Sequence, residues 1–305
     1  MLDLSIIVVN WNSQDLLRKC LEHVQRTAHQ ISYEIIVVDN ASSDGSQAMV
    51  RYEFPDVQLI ENSENTGFAK ANNQGIAISQ GRYVLLLNSD AFVEDSTLGR
   101  MVEFMDQHPE AGMAGCKLLY KDGRLQPSCS RFPTLASELY AATGLEKLFP
   151  KSQTFGQHLM LHWDYDDVRE VDVVMGAFML VRRQVIDEVG GMDERYFMYS
   201  EEVDWCFRIK QQGWKILFNP DAQAIHLWGG TAGRVSSLMH VQMYRSKVQY
   251  FRKNHGVLSA ILLKILIGLG CVLRLGPDVI QHLARRNQAT RLESQWRLLL
   301  ALPGL

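Results

Sequence analysis

The sequence predicts an α/β protein built around a doubly wound, mostly parallel sheet that is flanked by helices. Two short runs, Ile35–Val38 and Tyr83–Leu87, are apolar without alternation and rich in branched residues, which is typical of parallel strands buried on both faces. Helical segments separate such runs over the first ~90 residues, and this βαβ order favours a parallel sheet. Polar residues follow each run, at the edge where open α/β sheets bind ligands. The sequence therefore predicts a crevice of the kind that nucleotide-handling enzymes use.

The other elements of the first half follow in chain order. The turn after the first strand contains Asn12 and Ser13, either of which can cap a helix. Polar, turn-forming residues after the second and third strands precede two further helices. The predicted order is strand Ser5–Val9, helix Gln14–Arg26, a strand ending at Asp39, turn Asn40–Gly45 with a helix after it, strand Val57–Ile60, loop Asn62–Gly67, helix Phe68–Ser79 and a strand ending at Asn88.

The second half has a less regular pattern. A long segment between its first two predicted strands contains Pro127, Pro133 and Pro150, and a loop of that length in a compact domain is usually functional or partly mobile. The predicted elements are strands Met113–Leu119, Val171–Met175 and Lys215–Phe218, and helices Val181–Val189 and Glu202–Gln212.

Composition and charge exclude several classes of protein. The chain has 305 residues, 47% of them hydrophobic and 21% charged, so it can bury a large core in one or two domains. Its net charge of −3 argues against a nucleic-acid partner, which would require a strongly basic face. Five widely spaced cysteines predict reduced thiols in a cytosolic setting. The first residues enter a strand at once, which argues against secretion.

The C-terminal region differs from the rest in being basic and apolar. Val257–Leu275 is strongly apolar, and its 19 residues come close to the roughly 20 that span a bilayer. A buried core helix, a membrane span and a helix lying on the membrane surface are all compatible with this pattern. We expect the surface helix, because Lys264, Arg274, Arg285 and Arg286 can pair with anionic lipid head groups.

A candidate metal site follows the fourth strand. Asp90 comes two residues after Asn88, so the two side chains point to the same side of the chain. One carboxylate, a diphosphate and water can hold Mg²⁺ or Mn²⁺. His226, after the last predicted strand, can complete the metal shell. The alternatives are that Asp90 caps a turn and that His226 is structural.

Residues after the second and third strands can bind a nucleotide. Asp39 can accept a hydrogen bond from the imino N–H of a pyrimidine, with Trp11 as a packing surface beside it. Alternatively, Asp39 caps its own turn and Trp11 belongs to the core. Asn65–Phe68, with Lys70 and Asn73, can lay backbone N–H groups along a phosphate at a helix N-terminus.

Three carboxylates, Glu201, Glu202 and Asp204, stand near the start of a predicted helix. One of them can act as the general base that takes a proton from an attacking hydroxyl. The alternative is structural, because carboxylates at a helix N-terminus are also favoured by the helix dipole.

Taken in series, these residues resemble glycosyltransferase family 2, the inverting enzymes of GT-A type, and within it the rhamnosyltransferase-like branch of bacterial polysaccharide synthesis. The resemblance covers residues 4–230, and its specificity comes from the order of the pieces. The matching pieces are Ile7–Asn12, Val37–Ser42, Asn65–Ala69 with Asn73, Leu87–Asp90, Gly176–Phe178 with Arg182 and Arg183, Phe197–Asp204, and Ile225–His226.

The resemblance implies a role for each of these positions. Asp39 would recognise the base, and Asp90 would bind the metal at the donor diphosphate. His226 would be a further ligand of the metal or of the diphosphate, and Glu202 would be the catalytic base. The remaining donor-binding residues would be Val9, Trp11, Asn65, Gly67, Lys70, Asn73, Asn88 and Ser89. The acceptor side would be shaped by Gly176, Ala177 and Trp205.

Two departures from the family pattern matter. The family's Asp-x-Asp stands here as Asn88-Ser89-Asp90, which leaves one carboxylate for the metal. The base position carries glutamate in place of aspartate, and the extra methylene moves the carboxylate. Asp204 therefore remains a rival for the role of base.

The expected reaction is a direct displacement that inverts the anomeric centre. The donor would be a nucleotide-diphosphate sugar, with dTDP-rhamnose first and UDP-linked galactofuranose, glucose or N-acetylglucosamine behind it. The acceptor would be a saccharide or a polyprenyl-diphosphate-linked sugar, reached from the cytoplasm at the inner face of the cell membrane. The expected divisions are a nucleotide-binding half over 1–110, an acceptor-binding half over 111–235 and a membrane-associating helical region over 236–305.

Two other functions compete with sugar transfer. A nucleotidyltransferase would carry a glycine-rich loop with a basic residue after its first strand, and Asn10–Ser13 has neither. A non-catalytic scaffold that binds sugar nucleotides in a membrane assembly would have the same fold, and an intact activity after Glu202→Gln would favour it.

Overall fold

The computed structural model describes residues 2–28, 31–227, 237–284 and 289–305, with the side chains of Ser237 and of 276–292 left out. The chain divides into two compact units. The first contains residues 1–130, 165–197 and 201–233, and the second contains 131–164, 198–200 and 234–305. The sequence predicted a division at residue 235. The structure instead groups 131–164, placed by the sequence in the acceptor-binding half, with the C-terminal helices.

The described part of the first unit contains twelve strands and six helices. The strands are β1 Leu4–Asn10, β2 Tyr33–Asp39, β3 Gln58–Glu61, β4 Tyr83–Asn88, β5 Ala91–Val93, β6 Ala111–Leu119, β7 Leu125–Gln126, β8 Cys129–Ser130, β9 Arg169–Glu170, β10 Val173–Val174, β11 Phe178–Arg182 and β12 Lys215–His226. The helices, numbered along the whole chain, are α1 Gln14–Thr27, α2 Ser46–Glu53, α3 Phe68–Ile78, α4 Thr97–Gln107, α7 Arg183–Val189 and α8 Glu201–Gln211.

The main sheet has the order β3-β2-β1-β4-β11-β6-β12-β5, with β7 beside β6 and β9 beside β12. Strands β1 to β4 are mutually parallel where they pair, as the apolar runs predict. Strand β12 is parallel to β6 and antiparallel to β5. Strands β8 and β10 form a small second sheet. The buried side chains of β1, β2 and β4 pack with those of α1 and α4 in one core.

The second half differs from the prediction at β10, β11 and β12, and its short strands β7, β8 and β9 were not predicted. The predicted helix over Val181–Val189 begins only at Arg183, because Phe178–Arg182 forms β11, which is antiparallel to both β4 and β6. Strand β12 continues to His226, well past the predicted end at Phe218. The predicted strand Val171–Met175 is shorter in the structure and spans only Val173–Val174. An apolar run of four or five residues does not reveal its own pairing direction.

The start of α1 shows how the sheet edge is tied together. Ser13 occupies the N-cap position, but its side chain makes no capping hydrogen bond and donates instead to Asn10 Oδ1 at 2.6 Å. The backbone N–H of Gln14 donates to Asp44 Oδ2, 2.8 Å away in the turn after β2. The cap of α1 therefore comes from a neighbouring loop.

The described part of the second unit is helical. Its elements are α5 Leu135–Thr143, α6 Leu145–Leu148, α9 Ser237–Ala284, α10 Ala289–Ala301 and a short 3-10 turn over Leu302–Gly304. Thr134 and Ser137 form a capping box at the start of α5. Glu138 on α5 is buried and pairs with Lys247 on α9 at 2.8 Å.

Helix α9 is interrupted at Gly256, whose φ of 87° and ψ of 170° lie outside the helical region. Arg274 Nη1 lies 3.5 Å from the hydroxyl of Tyr244. Those two residues would be about 45 Å apart along one straight helix, so the chain folds back at Gly256. We call residues 257–284 the second half of α9.

By length and composition, the stretch Leu238–Leu275, which includes the break at Gly256, is the one candidate membrane span among the described helices. The long apolar helix fits the predicted membrane-associating tail. Two of the basic residues expected at lipid head groups are used within the unit: Arg274 Nη2 donates to Ala141 O at 3.3 Å, and Lys264 Nζ donates to Pro303 O at 3.4 Å. Arg285 and Arg286 lie outside the described residues. All five cysteines are free and buried, in agreement with the predicted reduced thiols.

Candidate active site

The end of β12 brings the two predicted metal ligands together. His226 pairs with Ala91 across the β12–β5 ladder, and the backbone N–H of Leu227 donates to Asp90 O at 3.0 Å. These contacts place His226 Nε2 3.3 Å from Asp90 Oδ1. Both residues are buried, with 5% of His226 and 2% of Asp90 exposed. The structure therefore joins two residues that lie far apart in the sequence.

Gln126 completes this cluster, and the sequence reasoning missed it. The residue is fully buried on β7, and its Oε1 lies 2.8 Å from His226 Nδ1. An amide oxygen accepts, so Nδ1 carries the proton and donates to Gln126. The signal available in the sequence was Gln126 itself, a polar residue in the short strand β7, which pairs with β6.

This arrangement fits a divalent cation. With Nδ1 hydrogen-bonded to Gln126, Nε2 is the ring nitrogen that faces the carboxylate of Asp90, so the two side chains could bind one cation between them. One imidazole and one carboxylate are ligands that Mn²⁺ and Mg²⁺ sites accept when phosphate and water fill the other positions. Within the described ranges, no three His, Cys, Asp or Glu side chains gather as a metal site. The chain thus supplies two candidate ligands here.

A pocket adjoins the same cluster. It is lined by Tyr120, Lys121, Asp122, Arg124, His226 and Leu227. The first four residues belong to the turn between β6 and β7, in which Arg124 Nε donates to Asp122 Oδ2 at 2.8 Å. The exposed ammonium group of Lys121 gives this side of the pocket a positive charge.

Asp39 is held by three donors at the end of β2. Its Oδ2 accepts from Asn10 Nδ2, and its Oδ1 accepts from the backbone N–H of Ser42 and from Gln47 Nε2, each at 2.8 Å. The side chain is fully buried. Asp39 thus caps its own turn, which was one of the two interpretations of this residue from the sequence. Trp11 is 50% exposed, so it is not an ordinary core residue.

The loop before α3 depends on glycine at position 67. Its φ of 84° lies in the left-handed region, and a β-carbon there would overlap the carbonyl oxygen of Phe197. That carbonyl accepts from the N–H of Phe68 at 2.8 Å. Asn65 Oδ1 accepts from the N–H of Gly67 at 3.0 Å, and Asn40 Nδ2 donates to the carbonyl of Gly67 at 3.1 Å.

The other predicted donor-side residues differ in how accessible they are. Lys70 is exposed, and Val9 and Asn88 are partly exposed. Ser89 is buried, with its hydroxyl 3.1 Å from that of Ser13. Asn73 is committed to the chain: its Nδ2 donates to Met192 O and to a carboxylate oxygen of Glu194, and its Oδ1 accepts from the Met192 N–H.

Of the predicted acceptor-side residues, Gly176 and Ala177 follow β10, and Trp205 lies on α8. The carbonyl of Ala177 accepts from the N–H of Asn88 at 3.1 Å, which ties this segment to the end of β4. A β-carbon on Gly176 would stand 3.5 Å from the ring of Phe68. Trp205 is fully buried and donates its indole N–H to Gly190 O at 2.8 Å. It can therefore support this region only by packing in the core.

The carboxylates of α8 occupy unlike environments. Glu201 is 4% exposed, and its Oε2 has no hydrogen-bond partner among the described residues. Burial, followed by the charge of Glu202 beside it, raises the pKa of Glu201 well above its usual value. Burial thus disfavours the charged form of Glu201, whereas Glu202 is the partly exposed carboxylate at the start of the helix.

Asp204 is enclosed in an ion pair. Its Oδ2 lies 3.0 Å from Arg208 Nε, and the side chain is fully buried. Arg208 also donates to the carbonyls of Val189 and Gly191. Through Arg208, Asp204 thus connects α8 to the end of α7. Asp204 itself lies about one helical turn after the start of α8.

Comparison with known proteins adds three findings. A family model described as Glycosyl transferase family 2 matches residues 5–190. The N-acetylglucosaminyl-diphospho-decaprenol L-rhamnosyltransferase of Mycobacterium tuberculosis is 26% identical over 243 residues, covering 76% of this chain and 78% of that protein. The rhamnosyltransferase WbbL of Escherichia coli is 27% identical over 231 residues, covering 72% and 82%.

Solved structures share the fold. A mannosyltransferase from Pyrobaculum calidifontis, in complex with GDP-Man and Mn²⁺, has a TM-score of 0.59 at 17% identity and covers 99% of this chain and 86% of its own. GalNAc-T7 with UDP, GalNAc and Mn²⁺ has a TM-score of 0.59 at 15% identity, with coverages of 83% and 51%. These likenesses confirm the predicted fold class, a GT-A-like α/β sheet flanked by helices.

Proposed function

The chain belongs to glycosyl transferase family 2, and from this premise we propose that it moves rhamnose from dTDP-rhamnose to a lipid-linked saccharide acceptor by a metal-dependent, inverting displacement. The sugar and the lipid carrier rest on the relatives, one of which is named for L-rhamnosyl transfer to an N-acetylglucosaminyl-diphospho-decaprenol. The observation that carries the proposal is the buried cluster of Asp90, His226 and Gln126 at the carboxyl edge of the sheet.

The donor diphosphate would be held at this cluster. Asp90 and His226 would hold Mn²⁺ or Mg²⁺, as Gln126 keeps the lone pair of His226 directed at Asp90. When bound, the cation would offset the negative charge that builds on the departing nucleoside diphosphate. Mn²⁺ stands in the two related structures named above. Lys121, at the adjoining pocket, could add a positive charge beside the phosphates.

The nucleoside would lie along the loops that follow β1, β2 and β3. We assign base recognition to the turn that Asp39 organises, with half-exposed Trp11 as the surface on which the ring packs. Asp39 would act mainly through that turn, because both of its oxygens already accept hydrogen bonds. Asn73 would likewise position α3 against the Met192 loop, and Lys70 and Asn65 would remain as donor contacts.

Glu202 would deprotonate the acceptor hydroxyl. It is partly exposed at the N-terminal end of α8, whereas Asp204 is buried and neutralised by Arg208. Glu201 supports this role because its raised pKa favours the neutral carboxyl, which would reduce the negative charge beside the base. The acceptor oxygen would attack the sugar carbon as its proton passes to Glu202, with Gly176 and Ala177 lining the acceptor side.

The test is a donor screen on the purified protein. Binding and slow hydrolysis of dTDP- and UDP-sugars would be measured with Mn²⁺, Mg²⁺ or EDTA, for the wild type, Asp90→Ala and the control Asp95→Ala, whose carboxylate is exposed. We expect one dTDP-sugar to bind in a metal-dependent way, with at least a tenfold loss in Asp90→Ala alone. Equal binding in EDTA would refute the metal role, and preference for a UDP-sugar would refute the rhamnose assignment.

A further inference from the structure

The second half of α9 exposes a continuous aliphatic stripe. Eight side chains lie within an arc of about 160° at 100° per residue, and between 40% and 71% of each is exposed. We call them the aliphatic face: Val257, Leu258, Ile261, Leu262, Ile265, Leu269, Val272 and Leu273. A soluble monomer rarely exposes so many contiguous apolar side chains without a partner for them.

The opposite side of the same helix is already covered by protein. Ala260, Leu263, Ile267 and Cys271 are buried there. A β-carbon on Gly270 would lie 3.2 Å from Ala142, so α5 packs directly against this side. Helix α5 carries the buried Glu138, which pairs with Lys247 on the first half of α9. A helix that crossed a bilayer in this packing would bring α5 and its charges into the hydrocarbon, which is costly.

The chemistry around the aliphatic face identifies what covers it. The face contains no aromatic or arginine side chain, the residues that usually anchor protein interfaces. Exposed Arg252 and Lys253 stand just before Gly256, where the face begins, and complement anionic head groups. On α10 of the same unit, Trp296 and Leu300 are 56% and 79% exposed and lie one turn apart. Tryptophan is enriched at the boundary between head groups and acyl chains.

We propose that the second half of α9 lies in the plane of an anionic membrane, with the aliphatic face inserted to roughly 5–10 Å and the opposite face packed on α5. The partner is thus the surface of a lipid bilayer, bound without a transmembrane span. The inference deepens the proposed function and rests on it in one respect, since a lipid-linked acceptor would be met at that surface.

Vesicle flotation tests the binding. The full chain would be mixed with phosphatidylcholine vesicles, with or without phosphatidylglycerol. We expect the wild type to float with the anionic vesicles, and the double variant Ile261→Asp/Ile265→Asp to lose more than tenfold in affinity. The control Val168→Asp, a valine 47% exposed in the first unit, should float as the wild type does. Equal flotation of the double variant would overturn the proposal.

Charge reversal tests the anionic preference separately. Arg252→Glu/Lys253→Glu should weaken binding to phosphatidylglycerol vesicles by about tenfold or more and should also reduce its dependence on salt. Unchanged binding would remove the head-group argument. Donor hydrolysis without vesicles should stay at the wild-type level in all of these variants, so a failure of the proposed chemistry would be visible apart from a failure of membrane binding.

Depth measurements distinguish a helix in the plane from a span. Single variants Val257→Cys, Ile265→Cys and Val272→Cys would each carry an environment-sensitive dye, quenched by lipids labelled at known depths; the native cysteines are buried. A helix in the plane gives three similar shallow depths. A deep dye at 265 with shallow dyes at both ends would establish a span and overturn the proposal. So would a wild type that ignores vesicles but forms dimers that Ile265→Asp dissociates.

Discussion

The two acidic clusters of the first unit differ in the partners of their carboxylates. Around Asp90, the contacts with His226 and Gln126 form a chain of short distances that fixes each side chain. At the start of α8, Glu201 has a buried oxygen without a hydrogen-bond partner among the described residues, and its pKa is raised. We expect the first cluster to hold a charged group in place, whereas burial in the second disfavours the charged form of Glu201. The difference teaches that binding and proton transfer make opposite demands on the environment of a carboxylate.

The strongest way to test this contrast is to remove the proton acceptor. Glu202→Gln should lower the rate of sugar transfer by 10²–10⁴-fold, because the amide cannot accept the hydroxyl proton. Donor affinity, measured by calorimetry, should remain within about twofold. Glu22→Gln, an exposed glutamate on α1, is the control. Full transfer activity in Glu202→Gln would instead favour a binding or scaffold function.

The rival carboxylate gives the next largest effect, on stability. Asp204→Asn leaves Arg208 without its buried counter-charge and should destabilise the fold by about 3 kcal/mol or more, as seen in denaturant unfolding. Asp193→Asn, which breaks the more exposed pair with Arg195, should cost no more than about 1 kcal/mol. A stable Asp204→Asn protein that binds donor but cannot transfer sugar would make Asp204 the base.

Removing the support of His226 should weaken the metal site without abolishing it. Gln126→Leu deletes the acceptor that holds the proton on Nδ1, and Mn²⁺ affinity in the presence of dTDP should fall 10–100-fold. Gln126→Glu keeps an acceptor at that place and should restore most of the affinity, with Gln25→Leu as a surface control. Spin resonance of free Mn²⁺ reads this directly. An unchanged affinity would show that Gln126 has no part in the site.

The smallest effect concerns the proton on Glu201. Its folded pKa lies above the unfolded value near 4.5, so the folded state binds the proton more tightly and stability falls as pH rises from about 4.5 towards the folded pKa. Glu201→Gln removes that loss. Its melting temperature relative to wild type should therefore rise between pH 5 and pH 8, by the equivalent of about 1 kcal/mol. A difference that stays constant with pH would mean that Glu201 is already ionised.

Much of the first half was predictable because its signals are local. Apolar runs located β1, β2 and β4, and the position of Asp90 after such a run marked the edge of the sheet. Strand β11 was missed because its pairing, antiparallel to β4 and β6, is a property of the whole sheet. Gln126 was missed for the same reason: its role appears only when β7 lies beside β6 and β12 has brought His226 back.

Side-chain roles were harder to predict than positions. The sequence placed Asn73 and Trp205 near the site, and the structure commits the first to the Met192 loop and the second to the core. Neither contact can be predicted from neighbouring residues. Met192 lies far along the chain from Asn73, and Gly190 lies before the helix that contains Trp205. Glu202 and Asp204 looked alike in sequence, and the structure separates them by burial and by the ion pair of Asp204 with Arg208.

The long reach of β12 also sets an order of events during synthesis. Gln126 and His226 are separated by 100 residues. A ribosome that adds 5–20 residues per second therefore adds His226 roughly 5–20 s after Gln126. Strands β1 to β4 can pair during that interval. Strands β5 and β6 cannot yet pair with β12, which lies between them in the sheet. The nascent chain can therefore begin to form its nucleotide-binding strands well before the cluster of Asp90 and His226 exists, and it gains that cluster only once translation has passed His226.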